Sequence, residues 1–264
     1  LVTALTLTLP QDDLMSWGWR IPFLVGGPLG LIGLYLRYRL EETPAYGGTS
    51  SEEGEKEPNP YRTIFVKCWR SLLICIGLVL VFNVTNYMLT AYMPTYLTAE
   101  IGFTPAASLL LVLLVMVLVM GLIVVLGHFS DRVGRLPVAA GGTIALIVLS
   151  FPAFLLITAG SWPLVFAGIL IIGLTLICFS STLPSTIPAL FPTSIRYGGA
   201  AIGFNIAVAL FGGTTPLLSE ALVGATGNKM APAYLLIAAG VIGLVAVSFT
   251  RETARRALPG ASPI

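Results

Sequence analysis

Long apolar runs alternate with short polar connections along this chain of 264 residues. A helix needs about 20 mostly apolar residues to cross the hydrocarbon core of a bilayer. Seven runs reach that length, and the chain opens on a shorter one, "LVTALTLTL". We therefore expect seven complete membrane-spanning helices, at about residues 17–36, 71–93, 106–127, 138–158, 162–183, 198–219 and 231–250.

The composition supports a membrane as the solvent. Hydrophobic residues make up 56% of the chain and charged residues only 10%, whereas a soluble domain carries about a quarter charged residues. The net charge of +2 is too small to indicate a nucleic-acid partner. The three cysteines form no C-x-x-C pair, so we expect neither a disulfide nor a bound metal.

The basic residues indicate the orientation in the membrane. When the seven segments are placed alternately up and down, nearly all Lys and Arg residues fall on one side. The other side receives only Arg20 and Lys229. Because cytoplasmic loops carry the excess of positive charge, we expect the C-terminus in the cytoplasm.

One long hydrophilic connection divides the chain. Its centre is rich in Glu, Gly, Ser and Pro, which is typical of a flexible tether. We expect the end of an N-terminal bundle at residues 1–36, a cytoplasmic linker at 37–70, a six-helix bundle at 71–250 and a cytoplasmic tail at 251–264. The chain begins inside apolar sequence without Met, so we interpret its start as a truncation rather than a signal peptide.

A charged motif lies between the third and fourth predicted helices. It has the pattern G-x-x-x-D-R-x-G-R, formed by Gly127, Asp131, Arg132, Gly134 and Arg135. Glycines suit a tight turn, and the Asp can pair with an Arg near a helix end. Such an ion pair can lock two helix bundles and break when they rock. The alternative is a static role, in which the motif only holds the turn and supplies positive charge.

This motif resembles the signature loop of the major facilitator superfamily, although Leu136 stands where the family usually has a further basic residue. The segments "WGWRIPFLVGG", "LEETPAY", "YMPTYL", "LFPTSIRYGGAAIGFNIAVALFGGTTPLL" and "RETARRALPG" are together similar to the metabolite:proton symporter branch, which includes proline/betaine transporters. The resemblance implies an all-α polytopic membrane protein, the C-terminal six-helix half of a major facilitator fold plus the preceding helix. The missing N-terminal half would be its partner in the bilayer.

Polar residues inside the apolar runs are candidates for a substrate path, because polar side chains in a membrane helix usually face a partner helix or a wet cavity. Asn83, Asn86, Tyr87 and Thr90 share one helical face by their spacing. Asn205 stands alone in another run. Hydrogen bonding between helices is the alternative role for the four residues that share a face.

Glu220 lies at the outer end of the sixth predicted helix. We interpret it as a rim carboxylate in contact with water. A proton-linked role is the alternative.

The resemblance implies proton symport by alternating access in the bacterial inner membrane, with a proton gradient and no other cofactor. The polar face carries no fixed charge, which favours a small zwitterion such as proline or glycine betaine. An organic acid such as citrate, 2-oxoglutarate or a shikimate-like compound is the alternative. Seven helices also fit a heptahelical receptor, but Gly134 and Arg135 argue against it. With one His and no H-E-x-x-H motif, we do not expect an enzyme.

Overall fold

The computed structural model describes residues 2–39 and 60–254, and every regular element in these ranges is helical. The chain divides into two units, residues 1–56 and 57–264. The central part of the expected linker, residues 40–59, lies outside the described residues, as does the tail beyond residue 254. The first unit contains three helices, α1 (Val2–Thr8), α2 (Gln11–Ser16) and α3 (Gly18–Arg39).

The second unit is a bundle of six long helices preceded by a short helical segment. The segment, α4, covers residues 60–67. The long helices are α5 (Trp69–Ile101), α6 (Pro105–Val133), α7 (Arg135–Thr158), α8 (Trp162–Ala189), α9 (Arg196–Thr226) and α10 (Ala231–Ser248). Together with α3, these are seven described helices long and apolar enough to cross a membrane, so the expected all-α polytopic architecture is confirmed.

Four helices run at least six residues past their predicted ends, and α5 and α9 extend to Ile101 and Thr226. The expected end of α6 was near residue 127, but the helix continues to Val133 and stops at Gly134, whose φ of +119° disfavours other residues. Helix α8 passes through Pro184 and Pro188 before it ends at Ala189. Neighbouring helices and local hydroxyl groups let membrane helices tolerate proline, so proline is a weak stop signal here.

Close helix crossings hold the bundle together. Helix α7 packs between α8 and α10, while α5 contacts α8, α9 and α10. A Cβ atom on Gly142 would lie 2.5 Å from the Cβ of Cys178, so α7 and α8 approach closely there. A Cβ atom on Gly203 would lie 2.7 Å from the Sγ of Cys75, so α9 and α5 approach equally closely at this position. Small residues at such crossings allow membrane helices to pack by van der Waals contact.

Two of the bundle's long helices change their winding near their middles. Helix α5 is π-helical at Met88–Tyr92, and α9 is π-helical at Val208–Gly212. Such wide turns occur frequently at functional sites, because they shift the register of the side chains that follow. The candidate path residues lie on these two helices.

Candidate functional site

The four polar residues of α5 occupy different environments. Asn83 is buried, and its amide donates to the carbonyl of Val79 at 2.9 Å. Asn86 and Tyr87 are half-buried, whereas Thr90 is exposed and donates to the carbonyl of Asn86 at 2.8 Å. The shared face therefore runs from the bundle interior at Asn83 to an open surface at Thr90.

Part of that face is in contact with α9. A Cβ atom on Gly212 would lie 2.9 Å from the Cε2 atom of Tyr87 and 3.4 Å from the Cβ atom of Asn83. The absence of a side chain at Gly212 thus lets the Tyr87 ring lie against the π-helical turn of α9. Asn83 and Tyr87 line the seam between the two helices, and Thr90 is the most accessible member of the set.

A cavity of about 460 Å³ opens between α5, α8 and α9, at the side of the bundle where α8 ends and α9 begins. Among the polar residues predicted for the path, Asn205 lines this cavity and the four residues of α5 do not. Its side-chain amide donates to the carbonyl of Ala201 at 2.8 Å. The aromatic residues of the lining are Phe82, Phe179, Tyr197 and Phe204.

The α8 wall of the cavity adds backbone polarity. Pro184 and Pro188 both line it. Because proline has no N–H group, the carbonyls of Ser180 and Pro184 lack the helical donor that the residue four positions later normally supplies. Ser180 also lines the cavity. This wall can therefore present carbonyl oxygens, which interact favourably with a positively charged group.

The signature motif is mostly helical. Gly127, Asp131 and Arg132 belong to the last turns of α6, Gly134 alone separates the helices, and Arg135 begins α7. The turn is therefore shorter than the sequence suggested. A Cβ atom on Gly127 would meet open space, so packing does not require glycine there.

An ion pair joins the two helices across the turn. The Nη2 atom of Arg135 lies 3.5 Å from the Oδ1 atom of Asp131. The Asp131 side chain is 64% exposed, and exposed ion pairs contribute at most about 1 kcal/mol to stability. The pair can therefore form and break at little cost.

Glu252 is the residue of this region that sequence reasoning missed. Its carboxylate accepts hydrogen bonds from the backbone N–H groups of Arg135 at 3.1 Å and Leu136 at 3.0 Å, and so caps the N-terminus of α7. It also accepts from Thr253 at 2.9 Å and Ala254 at 2.8 Å. The available signal was the similarity between "EETPA" after the first predicted helix and "RETAR" after the last.

The four donors control the charge of Glu252. Burial by itself would raise the pKa of the carboxyl group. The backbone N–H groups of Ala254, Leu136, Arg135 and Thr253 stabilise the ionised form more strongly, so the pKa lies below its usual value. The carboxylate also fills the space beside Gly134, where a Cβ atom would lie 2.8 Å from its Oε2 atom.

At the opposite end of the bundle, Glu220 is exposed on α9. Its helix packs on the π-helical turn of α5, where the Ser219 hydroxyl lies 4.0 Å from the sulfur of Met88. Nearby, the Tyr96 hydroxyl donates to the carbonyl of Lys229 at 2.7 Å, and Lys229 pairs with Glu100 at 3.6 Å. These contacts fasten the α9–α10 connection to the end of α5.

The described residues contain no cluster of His, Cys, Asp or Glu that could hold a metal ion. The fold and the cavity define a polytopic α-helical membrane protein with an open recess at the side of its bundle, and no described residue that lines this recess is charged. The family model for the Major Facilitator Superfamily matches residues 14–214. The chain therefore belongs to the Major Facilitator Superfamily, as its signature motif indicated.

Within this superfamily, the chain is similar to several transporters whose names state their substrates. The chain is 43% identical to the "Proline/betaine transporter" of Escherichia coli strain K12, over 99% of this chain and 54% of that protein. It is 40% identical to the "Glycine betaine/proline/ectoine/pipecolic acid transporter OusA" of Dickeya dadantii, with the same coverage. A "Putative proline/betaine transporter" of Staphylococcus aureus strain COL is 38% identical over the whole chain and 57% of its own length. The chain spans about half the length of these relatives.

Proposed function

We propose that this chain is the C-terminal part of a secondary transporter for small zwitterionic osmolytes, with proline and glycine betaine as substrates. The observation that supports this most directly is the 43% identity to a proline/betaine transporter across nearly the whole chain. Because the chain covers 54% of that relative, the active unit would combine this bundle with the N-terminal half of the same transporter. The protein acts by transport and not as an enzyme.

The chemistry of the cavity fits a zwitterion. No charged side chain is among its described lining residues, and four aromatic rings are. An aromatic face attracts a quaternary ammonium group by about 0.5–2 kcal/mol, and the carbonyls of the α8 wall add to that attraction. The amide of Asn205 can donate to a carboxylate. An organic acid such as citrate, the alternative substrate class, would favour Arg or Lys in the lining.

Transport proceeds by alternating access, driven by symport of protons, with this recess on the substrate path. Most basic residues of the bundle lie at the end that carries the α6–α7 turn and Arg251, which supports a cytoplasmic position for that end and for the C-terminus. The membrane is then the bacterial inner membrane. Glu220 lies exposed near the other end, which supports a rim carboxylate in contact with water, and a role in proton coupling is its alternative.

The substrate assignment is tested by uptake of labelled glycine betaine into vesicles that contain the full-length gene product. We expect saturable uptake that excess proline inhibits, that excess citrate or 2-oxoglutarate leaves unchanged, and that collapses when the proton gradient is dissipated. Saturable citrate uptake without betaine uptake would instead support the organic-acid alternative. Betaine uptake that survives loss of the gradient would support the substrate assignment and contradict proton coupling.

The α6–α7 turn acts as a conformational switch in this scheme. The exposed pair between Asp131 and Arg135 is weak enough to exchange partners when the two halves move. Its separation of 3.5 Å leaves the Asp131 carboxylate, 64% exposed, accessible to a group from the opposing half. A bistable contact of this kind acts on the interconversion of the two conformations, and it supplies no group to the substrate cavity.

Asp131→Asn should lower the maximal rate of betaine uptake several-fold while leaving the half-saturating concentration nearly unchanged. The substitution removes a charge from the switch but no group from the cavity. Initial rates at equal amounts of inserted protein measure the effect. Asp131→Glu keeps the charge and should retain most of the rate. Equal losses in both variants would indicate that the motif has a purely structural role.

A further inference from the structure

A small pocket lies where the first turn of α5 meets the ends of α8 and α10. It has a volume of about 50 Å³, and its lining includes Ser71, Leu190, Thr250, Arg251 and Thr253. A cavity holds one water molecule when it leaves about 10–15 Å³ open to a water-sized sphere. The pocket therefore has room for one small polar group.

The pocket contains a hydroxyl group that the fold leaves unused. Thr253 is 7% exposed, and its side-chain oxygen has no hydrogen-bond partner among the described residues. A buried hydroxyl without a partner is costly, so it is normally satisfied by a ligand or by water. Thr250 lines the same pocket, but its hydroxyl already donates to the carbonyl of Ala246 at 2.8 Å. The two threonines therefore differ in what they can offer a ligand.

The charge in the pocket favours an anion. Arg251 supplies a fixed positive charge, and Ser71, which is 8% exposed, supplies a second hydroxyl. Glu252 lies between Arg251 and Thr253 in the chain, but its carboxylate is engaged by four backbone N–H groups. A guanidinium group with neighbouring hydroxyl donors matches the oxygens of a phosphate group.

The surroundings of the pocket resemble a membrane interface. Phe249, which lines it, is 72% exposed, and Trp69 on the first turn of α5 is 48% exposed. Arg70 lies over the Trp69 ring at 5.5 Å and directly precedes Ser71. Aromatic and basic side chains concentrate at the level of lipid headgroups, and the cytoplasmic leaflet carries anionic lipids.

We infer that this pocket binds a phosphate group, supplied by the headgroup of an anionic phospholipid in the cytoplasmic leaflet. The lipid source rests on the orientation given under the proposed function. Arg251 and Thr253 flank Glu252, so a bound phosphate holds in place the segment that caps α7. Occupancy of the pocket thereby stabilises the α6–α7 turn.

Lipid binding to the purified full-length gene product tests the site. The probes are dioleoylphosphatidylglycerol, dioleoylphosphatidylcholine and inorganic phosphate, and adducts are counted by native mass spectrometry. We expect one saturable site that prefers phosphatidylglycerol. Thr253→Val should weaken its binding about fivefold and Arg251→Gln at least about tenfold, because bonds to charged groups are the stronger ones.

Two matched variants act as controls. Thr250→Val removes a hydroxyl from the same pocket, and Lys67→Gln removes a positive charge from the same end of the bundle; both should bind as the unmodified protein does. Inorganic phosphate binding with the same variant pattern supports the phosphate site but identifies a soluble source. Equal binding of both lipids without phosphate binding, or equal effects of Thr253→Val and Thr250→Val, would overturn the site. The assay measures no transport, so its failure leaves the proposed transport function unaffected.

Discussion

Ala201→Trp should nearly abolish uptake by the full-length transporter while leaving insertion in the membrane intact. Ala201 lines the 460 Å³ cavity on α9, one turn before Asn205. An indole ring at this position extends into the recess and occupies the space of the substrate. The backbone carbonyl of residue 201 remains, so the bond that it accepts from Asn205 is kept. Initial uptake of labelled betaine at matched protein levels measures the loss.

The control for this variant is Ala221→Trp. Ala221 lies on the same helix, is exposed, and is not part of the cavity lining. The Ala221→Trp variant should retain most of the uptake activity. This result would show that the loss in Ala201→Trp comes from blocking the cavity and not from a bulky residue on α9. Full uptake by the Ala201→Trp variant would place the substrate path elsewhere in the bundle.

The number and order of the helices were predictable from the sequence because they depend on one dominant quantity, the length of apolar chain needed to cross a bilayer. The helix ends were not, because they depend on individual backbone interactions. Helix α6 gains six residues beyond its apolar run, up to the positive φ of Gly134. Helix α8 continues through two prolines, past its predicted end near residue 183, to Ala189. Apolar length therefore fixes how many helices cross the bilayer but not where each one stops.

The cavity was only partly predictable, for a related reason. Asn205 stands out because an amide in an apolar run needs an explanation. Phe82 and Phe204 gave no such signal, since aromatic residues in apolar runs equally suit lipid contact. The polar face of α5 has the correct helical spacing, but spacing does not tell which side of the face meets a neighbour. The contact between Tyr87 and Gly212 decides this, and it joins residues 125 positions apart.

The role of Glu252 could not be predicted from the sequence for a third reason, the distance of its partners along the chain. An acid in a loop is usually solvated, and nothing local shows that its partners are 117 and 116 residues earlier in the chain. The two acids near the α6–α7 turn therefore have opposite characters. Asp131 is conspicuous in the motif but makes one long, exposed ion pair. Glu252 lies outside the motif and accepts four hydrogen bonds, two of them from the first residues of α7.

Glu252→Gln should destabilise the bundle by about 1–2 kcal/mol, the range that is typical of losing a helix cap. The neutral amide can still accept through one atom, but its NH₂ group cannot accept from Leu136 as the Oε2 atom does. Because α7 then loses its fixed start, uptake should fall more in this variant than in Asp131→Asn. Thermal unfolding of the full-length protein in detergent, together with initial uptake rates, measures both effects.

The pH dependence of thermal stability shows whether Glu252 acts through its negative charge or only through the shape of its side chain. The pKa of this carboxyl is lowered in the folded protein, so its contribution is complete above the unfolded value of about 4.3 and is lost as the pH falls through the folded value. The difference in thermal stability between the unmodified protein and Glu252→Gln should therefore be constant from pH 7 down to about pH 5 and then shrink on further acidification. Asp131→Asn, which removes only an exposed pair, should change thermal stability little. A difference for Glu252→Gln that is independent of pH would show that the ionised carboxylate is not what holds α7.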